Sequence, residues 1–358
     1  MTSESNLFYE AELAEGKAAA EAFVSYFDGK EKHSPSPFLP GTKVQFAWDS
    51  TSLGWLKTCP RLYEYQMIEG WRPRGSGVHL VFGQHYHSAL ECYDKYRALE
   101  PERTHDEAVH NTVHELLLWT WDRENGPWTS DHPSKNRETL VRSVVWYLDQ
   151  FKDDPAATLI LANGKPAVEL SFRMELDWGP KLTEVWYSNN INEENQLRGH
   201  KQPYILSGHL DRVVDFGGQK YVMDRKTTGS SPTPHYFDGF APDNQMSIYT
   251  LAARVQFSTP VAGVIIDAAQ IAVGFTRFQR GFTYRTEAQL EEWLADFRFW
   301  TAQAEGFAET GYWPMNDKSC NQFGGCTFRR ICSKNPEMRQ TFLESDFERK
   351  PWNPLQSR

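Results

Sequence analysis

Residues 207–229 read SGHLDRVVDFGGQKYVMDRKTTG and set two carboxylates, Asp211 and Asp224, in strand-like segments on either side of a glycine pair. A Gly-Gly between such runs predicts a two-residue hairpin turn. With that turn Phe216 pairs with Gln219, and Asp211 falls directly opposite Asp224. Side chains so opposed sit about 5 Å apart, where at an effective dielectric near 20 two like charges repel by about 3 kcal/mol. Residues two apart in a strand share a face, so Lys226 joins the same cluster. A divalent cation held by the hard carboxylate oxygens, with the lysine beside it, offsets the repulsion and supplies hydrolytic chemistry. The alternative is a solvated hairpin face with weak ion pairs. A three-residue loop with a bulge would also undo the opposition by shifting the register.

The elements that must position this cluster follow from periodicity. WLKTCPRLYEYQ, GQHYHSALECYDKYRAL, DEAVHNTVHELLLWTWD and RETLVRSVVWYLDQF recur apolar at three and four, as helices do. From residue 166 the pattern changes to strand lengths in PAVELSFRMEL, YILSGHLDRVVDF, KYVMDRKTT, VAGVIIDAAQIAVGF and TRFQRGFTYRT, interrupted by one helix, PDNQMSIYTLAARVQF. A last helix, TEAQLEEWLADFRFWTAQAEGF, precedes a cysteine-bearing tail, and a polar helix AELAEGKAAAEAFVSYF is expected near the N-terminus. The fold class expected is α/β, with a central mixed sheet flanked by helices.

Four short motifs in order carry a resemblance. G-x-x-D-R (Gly208 to Arg212), V-x-D-x-K-T (Val222 to Thr227), Q-x-x-x-Y (Gln245 to Tyr249) and, upstream, FGQHYHSALE around His87 resemble the PD-(D/E)XK nuclease superfamily in its RecB-like branch. The resemblance implies a restriction-endonuclease-like sheet and a metal-dependent DNA nuclease. Its metal ligands would be His87, Asp211, Asp224 and the carbonyl of Arg225, holding Mg²⁺ or Mn²⁺. Lys226 would orient or deprotonate the attacking water, and Gln245 and Tyr249 would support the site. Glu169, in PAVELSF, matches a position where relatives carry an acid. His85, two residues from His87, points elsewhere on its helix.

Five cysteines, an odd number, in a chain expected to be cytoplasmic favour metal ligands or buried thiols over disulfides. WLKTCPRLYEYQ resembles the CP-x-x-Y element of iron-sulfur members of the branch, similar to AddB-type helicase-nucleases and CRISPR-associated exonucleases. Cys59 with Cys320, Cys326 and Cys332 would make the Cys₄ set of a 4Fe-4S cluster, stapling the two ends of the core together. The tail reads C-x5-C-x5-C where the family usually has C-x2-C-x5-C, and zinc is the alternative occupant. Cys92 reads as core. The implied layout is an extension over 1–50, a helical region over 51–160, a nuclease core over 161–310 and a cluster segment over 311–358.

The composition sets limits on partners. The 358 residues carry a net charge of −9, with a pI near 5.7, so a general polyanion binder is not expected. Arg277, Arg280 and Arg285 among aromatics, and Arg329, Arg330 and Lys334 around the cysteines, are local groups suited to single-stranded DNA, although aromatics so spaced are more commonly the apolar side of a strand. No secretory signal or membrane span is read, nor a phosphate-binding G-x-x-x-x-G-K-[ST] motif, so unwinding would need a helicase partner. Recombinase or CRISPR-adaptation partners also fit. The contrasting reading is a non-cleaving nucleic-acid or assembly module that keeps the fold and the Cys₄ site.

Overall fold

The structure, a computed structural model, describes residues 35–75, 77–181, 202–257 and 260–356. The helix expected over AELAEGKAAAEAFVSYF lies outside them. The helices are α1 (Ser50–Thr58), α2 (Pro60–Tyr63), α3 (Val78–Leu99), α4 (His105–Trp119), α5 (Arg137–Gln150), α6 (Pro234–Asp238), α7 (Asn244–Gln256), α8 (Glu287–Thr310), α9 (Arg329–Cys332) and α10 (Arg339–Asp346). The strands are β1 (Ala47–Trp48), β2 (Trp71–Pro73), β3 (Trp121–Asp122), β4 (Gly126–Pro127), β5 (Ala157–Thr158), β6 (Val168–Glu175), β7 (Ile205–Phe216), β8 (Gln219–Thr228), β9 (Val261–Ile271), β10 (Thr276–Thr283) and β11 (Phe347–Arg349).

Seven of these strands form one mixed sheet. Its main path runs β1-β7-β8-β9-β10, with β5 and β6 also paired to β7. The β7–β8 and β9–β10 pairs are antiparallel, whereas β8 and β9 run parallel. A parallel pair needs a crossover, and α6 and α7 supply it. This is the α/β architecture expected of a restriction-endonuclease-like domain, with the Cys-rich segment following it.

Alternation along the strands sends apolar side chains to both faces. Val213, Val222, Val264 and Ile266 pack with Leu53, Leu56, Met246, Ile248 and Phe297 from α1, α7 and α8. Ala269, Ile271 and Phe278 pack instead with Phe82, Tyr86, Leu90, Leu140, Val144 and Tyr147 from α3 and α5. No helix among the described residues is long and apolar enough to cross a membrane.

Two expected helices are shorter than their apolar pattern. WLKTCPRLYEYQ breaks at Cys59, whose φ of −167° and ψ of 117° are extended. The following Pro60 excludes the helical region for its predecessor and then starts α2 at a position where its missing N–H costs nothing. The pattern DEAVHNTVHELLLWTWD likewise stops at Trp119, and Trp121 and Asp122 turn into a ribbon with Gly126 and Pro127.

Candidate active site

The hairpin register is the expected one. Gly217 and Gly218 have φ of 63° and 78°, the left-handed pair that a type I′ turn demands and that glycine adopts without strain. The ladder then runs from Phe216 opposite Gln219 to Arg212 opposite Met223. One step further Asp211 and Asp224 are brought together. Here the strand hydrogen bonds give way, and the Asp211 carboxylate accepts the backbone N–H of Arg225 at 2.9 Å.

Both acids are buried, at 6% and 1% exposure. Charges so enclosed require close partners. Lys226 Nζ lies 2.7 Å from Asp224 Oδ2, and His87 Nδ1 lies 3.2 Å from Asp211 Oδ2. The lysine also donates to Gln245 Oε1 at 2.8 Å, and Gln245 Nε2 donates to the Tyr249 hydroxyl at 2.9 Å. Asp243 caps α7 by accepting the Met246 N–H, so a well-defined helix start aims Gln245, and Tyr249 one turn on, at the lysine.

Glu169 completes the group. One donor atom each from His87, Glu169 and Asp211 lie within 4.8 Å of one another. Glu169 has φ of +51°, the only positive value at a non-glycine residue among those described. A left-handed glutamate is strained by roughly 1–3 kcal/mol, and such strain gathers at functional sites.

Electrostatics divide the two aspartates. Burial alone would raise the Asp211 carboxyl, but His87, Lys226 and the Arg225 amide outweigh it and hold the acid well below the usual range. Burial raises Asp224, with the charge of Asp211 adding to it, against the pull of Lys226. The imidazole of His87 and the carboxylates of Glu169 and Asp211 suit a divalent cation with oxygen and nitrogen ligands, while Asp224 stands beside them paired to Lys226.

A family model described as the PD-(D/E)XK nuclease superfamily matches residues 50–333. The chain belongs to the PD-(D/E)XK nuclease superfamily. Among solved structures, a candidate exonuclease from Eubacterium rectale is 10% identical, with 84% of this chain and 93% of that one covered, at a TM-score of 0.43. Protein SSO0001 is 12% identical over 91% and 96% of the two chains, at a TM-score of 0.29. At these TM-scores neither likeness bears on mechanism. No curated protein matches significantly.

The glycine of the G-x-x-D-R motif has a structural cause in this PD-(D/E)XK chain that the sequence did not show. A Cβ on Gly208 would stand 2.7 Å from Cζ of Phe172, a buried ring on β6. Phe172 in turn meets the Tyr249 ring edge to face, with centroids 6.3 Å apart. The bare strand at Gly208 thus lets Phe172 lie under the tyrosine.

The cysteines of this PD-(D/E)XK chain come from its two ends, and hydrogen bonds join those ends. The Asn316 N–H donates to Cys59 Sγ at 3.3 Å, Asn316 Nδ2 to the Thr58 carbonyl at 2.9 Å, and Arg61 Nε to the Trp313 carbonyl at 2.8 Å. Cys326 and Cys332 border an apolar cluster of Tyr65, Trp71, Phe328, Ile331, Leu343 and Phe347. Burial pushes the Cys332 thiol up to about 11, with Arg61 opposing and the charges of Cys326 and Cys59 adding. None of the five cysteines forms a disulfide, and Cys92, half-buried, receives the Asn111 amide at 3.7 Å.

Two of the three arginines expected to face nucleic acid are otherwise engaged. Arg280 grips both oxygens of Asp154 at 2.7 Å. Arg285 is buried and donates to the carbonyls of Phe240 and Tyr284. Of the two readings of this stretch, the strand-face one fits Arg280 and Arg285, whose cations serve the fold; Arg277, Arg329, Arg330 and Lys334 are exposed. His85 packs at a tilt against Trp128, with ring centroids 5.6 Å apart, away from His87.

Proposed function

We propose that the chain is a divalent-metal-dependent DNA exonuclease of the RecB-like branch, acting on single strands or duplex ends. The observation that carries the reading is the convergence of His87, Glu169 and Asp211 beside the Asp224–Lys226 pair. His87, Asp211, Asp224 and the Arg225 carbonyl would hold Mg²⁺ or Mn²⁺, with Glu169 as an outer or second-ion carboxylate. Such an ion polarises a phosphodiester and lowers the pKa of bound water. Lys226, fixed by Asp224 and Gln245, orients the attacking water and counters charge on the phosphate in the transition state. Tyr249 and Gln245 hold the lysine in place.

Cys59, Cys320, Cys326 and Cys332 would hold a 4Fe-4S cluster that ties the chain ends across the core. Four thiolates also suit a tetrahedral zinc site, which is the alternative occupant. The biological setting that fits is recombination, repair, replication or CRISPR-like processing, with unwinding supplied by a separate helicase.

End-labelled single- and double-stranded DNA, incubated with Mg²⁺ or Mn²⁺, tests the reading and reports polarity and strand preference together. Cleavage that disappears in Asp224→Ala supports it. An intact substrate with wild type under both metals, or full activity in Asp224→Ala, would leave the non-cleaving module as the better description.

A further inference from the structure

Each aspartate of the metal cluster is followed by an arginine, giving Asp211-Arg212 and Asp224-Arg225. Successive strand residues point to opposite faces, so the two arginines leave the cluster and project behind it. There they meet one carboxylate. Asp94 on α3 lies 2.7 Å from Arg225 Nη2 and 3.6 Å from Arg212 Nη1. Asp94 is 4% exposed, Arg225 2% and Arg212 7%.

Asp94 also lies seven residues, two helical turns, beyond His87, on the same stripe of α3. That one stripe therefore touches Asp211 through His87 and both following arginines through Asp94. Further contacts fix Arg212 independently. Arg212 donates to the Ala156 carbonyl at 2.7 Å and to Thr158 Oγ1 at 2.9 Å, and lies 3.7 Å from Asp154. A buried ion pair is often no more stabilising than apolar residues of the same volume, but its geometry fixes register. The register fixed here is that of the histidine helix against the two aspartate strands.

We infer that Asp94 is a positioning residue for the metal centre: it clamps Arg212 and Arg225 from behind and so sets His87, Asp211, Asp224 and the Arg225 peptide at their mutual spacing. This rests on the metal-dependent reading above. Partners one shell out from a metal typically matter 10- to 100-fold for its affinity.

The test is Mn²⁺ titration of the full chain by calorimetry, without DNA, at a temperature where circular dichroism shows each variant folded. Asp94→Asn is expected to weaken Mn²⁺ binding at least tenfold, and Asp94→Glu to restore most of it. On DNA, Asp94→Asn should lower kcat at limiting Mn²⁺, recover with excess metal and keep KM. Unchanged Mn²⁺ affinity in folded Asp94→Asn overturns the inference. Should that variant not fold, the paired replacement Asp94→Leu with Arg225→Met removes both charges. A tenfold loss of affinity in it supports the clamp, and wild-type affinity overturns it. Wild type that binds no Mn²⁺ overturns the functional reading and the clamp together, whereas loss in His87→Ala without loss in Asp94→Asn overturns the clamp alone.

Discussion

Lys226 donates to Gln245 at 2.8 Å while pairing with Asp224 at 2.7 Å, so the ammonium is held from a strand and from a helix at once. Its head is thereby fixed before substrate arrives. Lys226→Met is expected to slow DNA cleavage by about 10²- to 10⁴-fold, the usual worth of a positioned proton-transfer group. Gln245→Leu, which leaves the lysine in place but half-tethered, should cost about 10- to 100-fold. Single-turnover rates on end-labelled DNA measure both, and equal rates for Gln245→Leu and wild type would count against the tether.

Gly208→Ala places a methyl 2.7 Å from Cζ of Phe172, so that the buried ring must shift. Overpacking of this kind costs about 1–3 kcal/mol. Urea unfolding should show a lower midpoint with an unchanged slope. Cleavage should fall as well, because the displaced ring no longer supports Tyr249.

Lys135 gives a pH signature away from the metal cluster. Its ammonium is buried over the Phe82 ring, 4.4 Å from the centroid, with no hydrogen-bond partner among the described residues. Burial pushes its pKa from 10.5 down to about 8. A lysine depressed in the folded state penalises folding fully below pH 8, and the penalty fades as pH rises from 8 toward 10.5. Lys135→Met should therefore raise the melting temperature most at pH 7, with the gain shrinking by pH 9.5. A gain that is constant across this range would show that packing, not charge, is responsible.

Cys326→Ser and Cys59→Ser should each remove iron and visible absorbance from anaerobically purified protein and lower its melting temperature. Equal effects at the two sites are the informative result, since the residues lie at opposite ends of the core. Zinc without iron in the wild type would assign the thiols to the tetrahedral alternative.

The hairpin was legible because every feature of it is local: a Gly-Gly turn, alternation and two acids at matched distance. The Cys59 break could have been read from Pro60, but the apolar periodicity around it dominated. Asp94 was not legible, since it sits in a helix like any surface acid and its partners lie far downstream. The same distance hid Phe172 beneath Gly208. Arg280 and Arg285 were ambiguous because a basic residue in an aromatic stretch reads alike whether its partner is a phosphate, the Asp154 carboxylate or a backbone carbonyl. The left-handed Glu169 had no signal in its residue type, which ordinarily avoids that backbone region.

The contrast between near and far partners also orders events during folding. The β7–β8 hairpin can close early, since its turn spans two residues, and early closure brings Asp211 toward Asp224 while only Lys226 is at hand. His87 and Asp94 reach it only after α3 docks across a long loop, which is entropically the later step. If this hairpin belongs to the folding nucleus, the repulsion between its two acids opposes the closure. Asp211→Asn should refold faster than wild type in stopped-flow experiments, even where the finished protein loses its function.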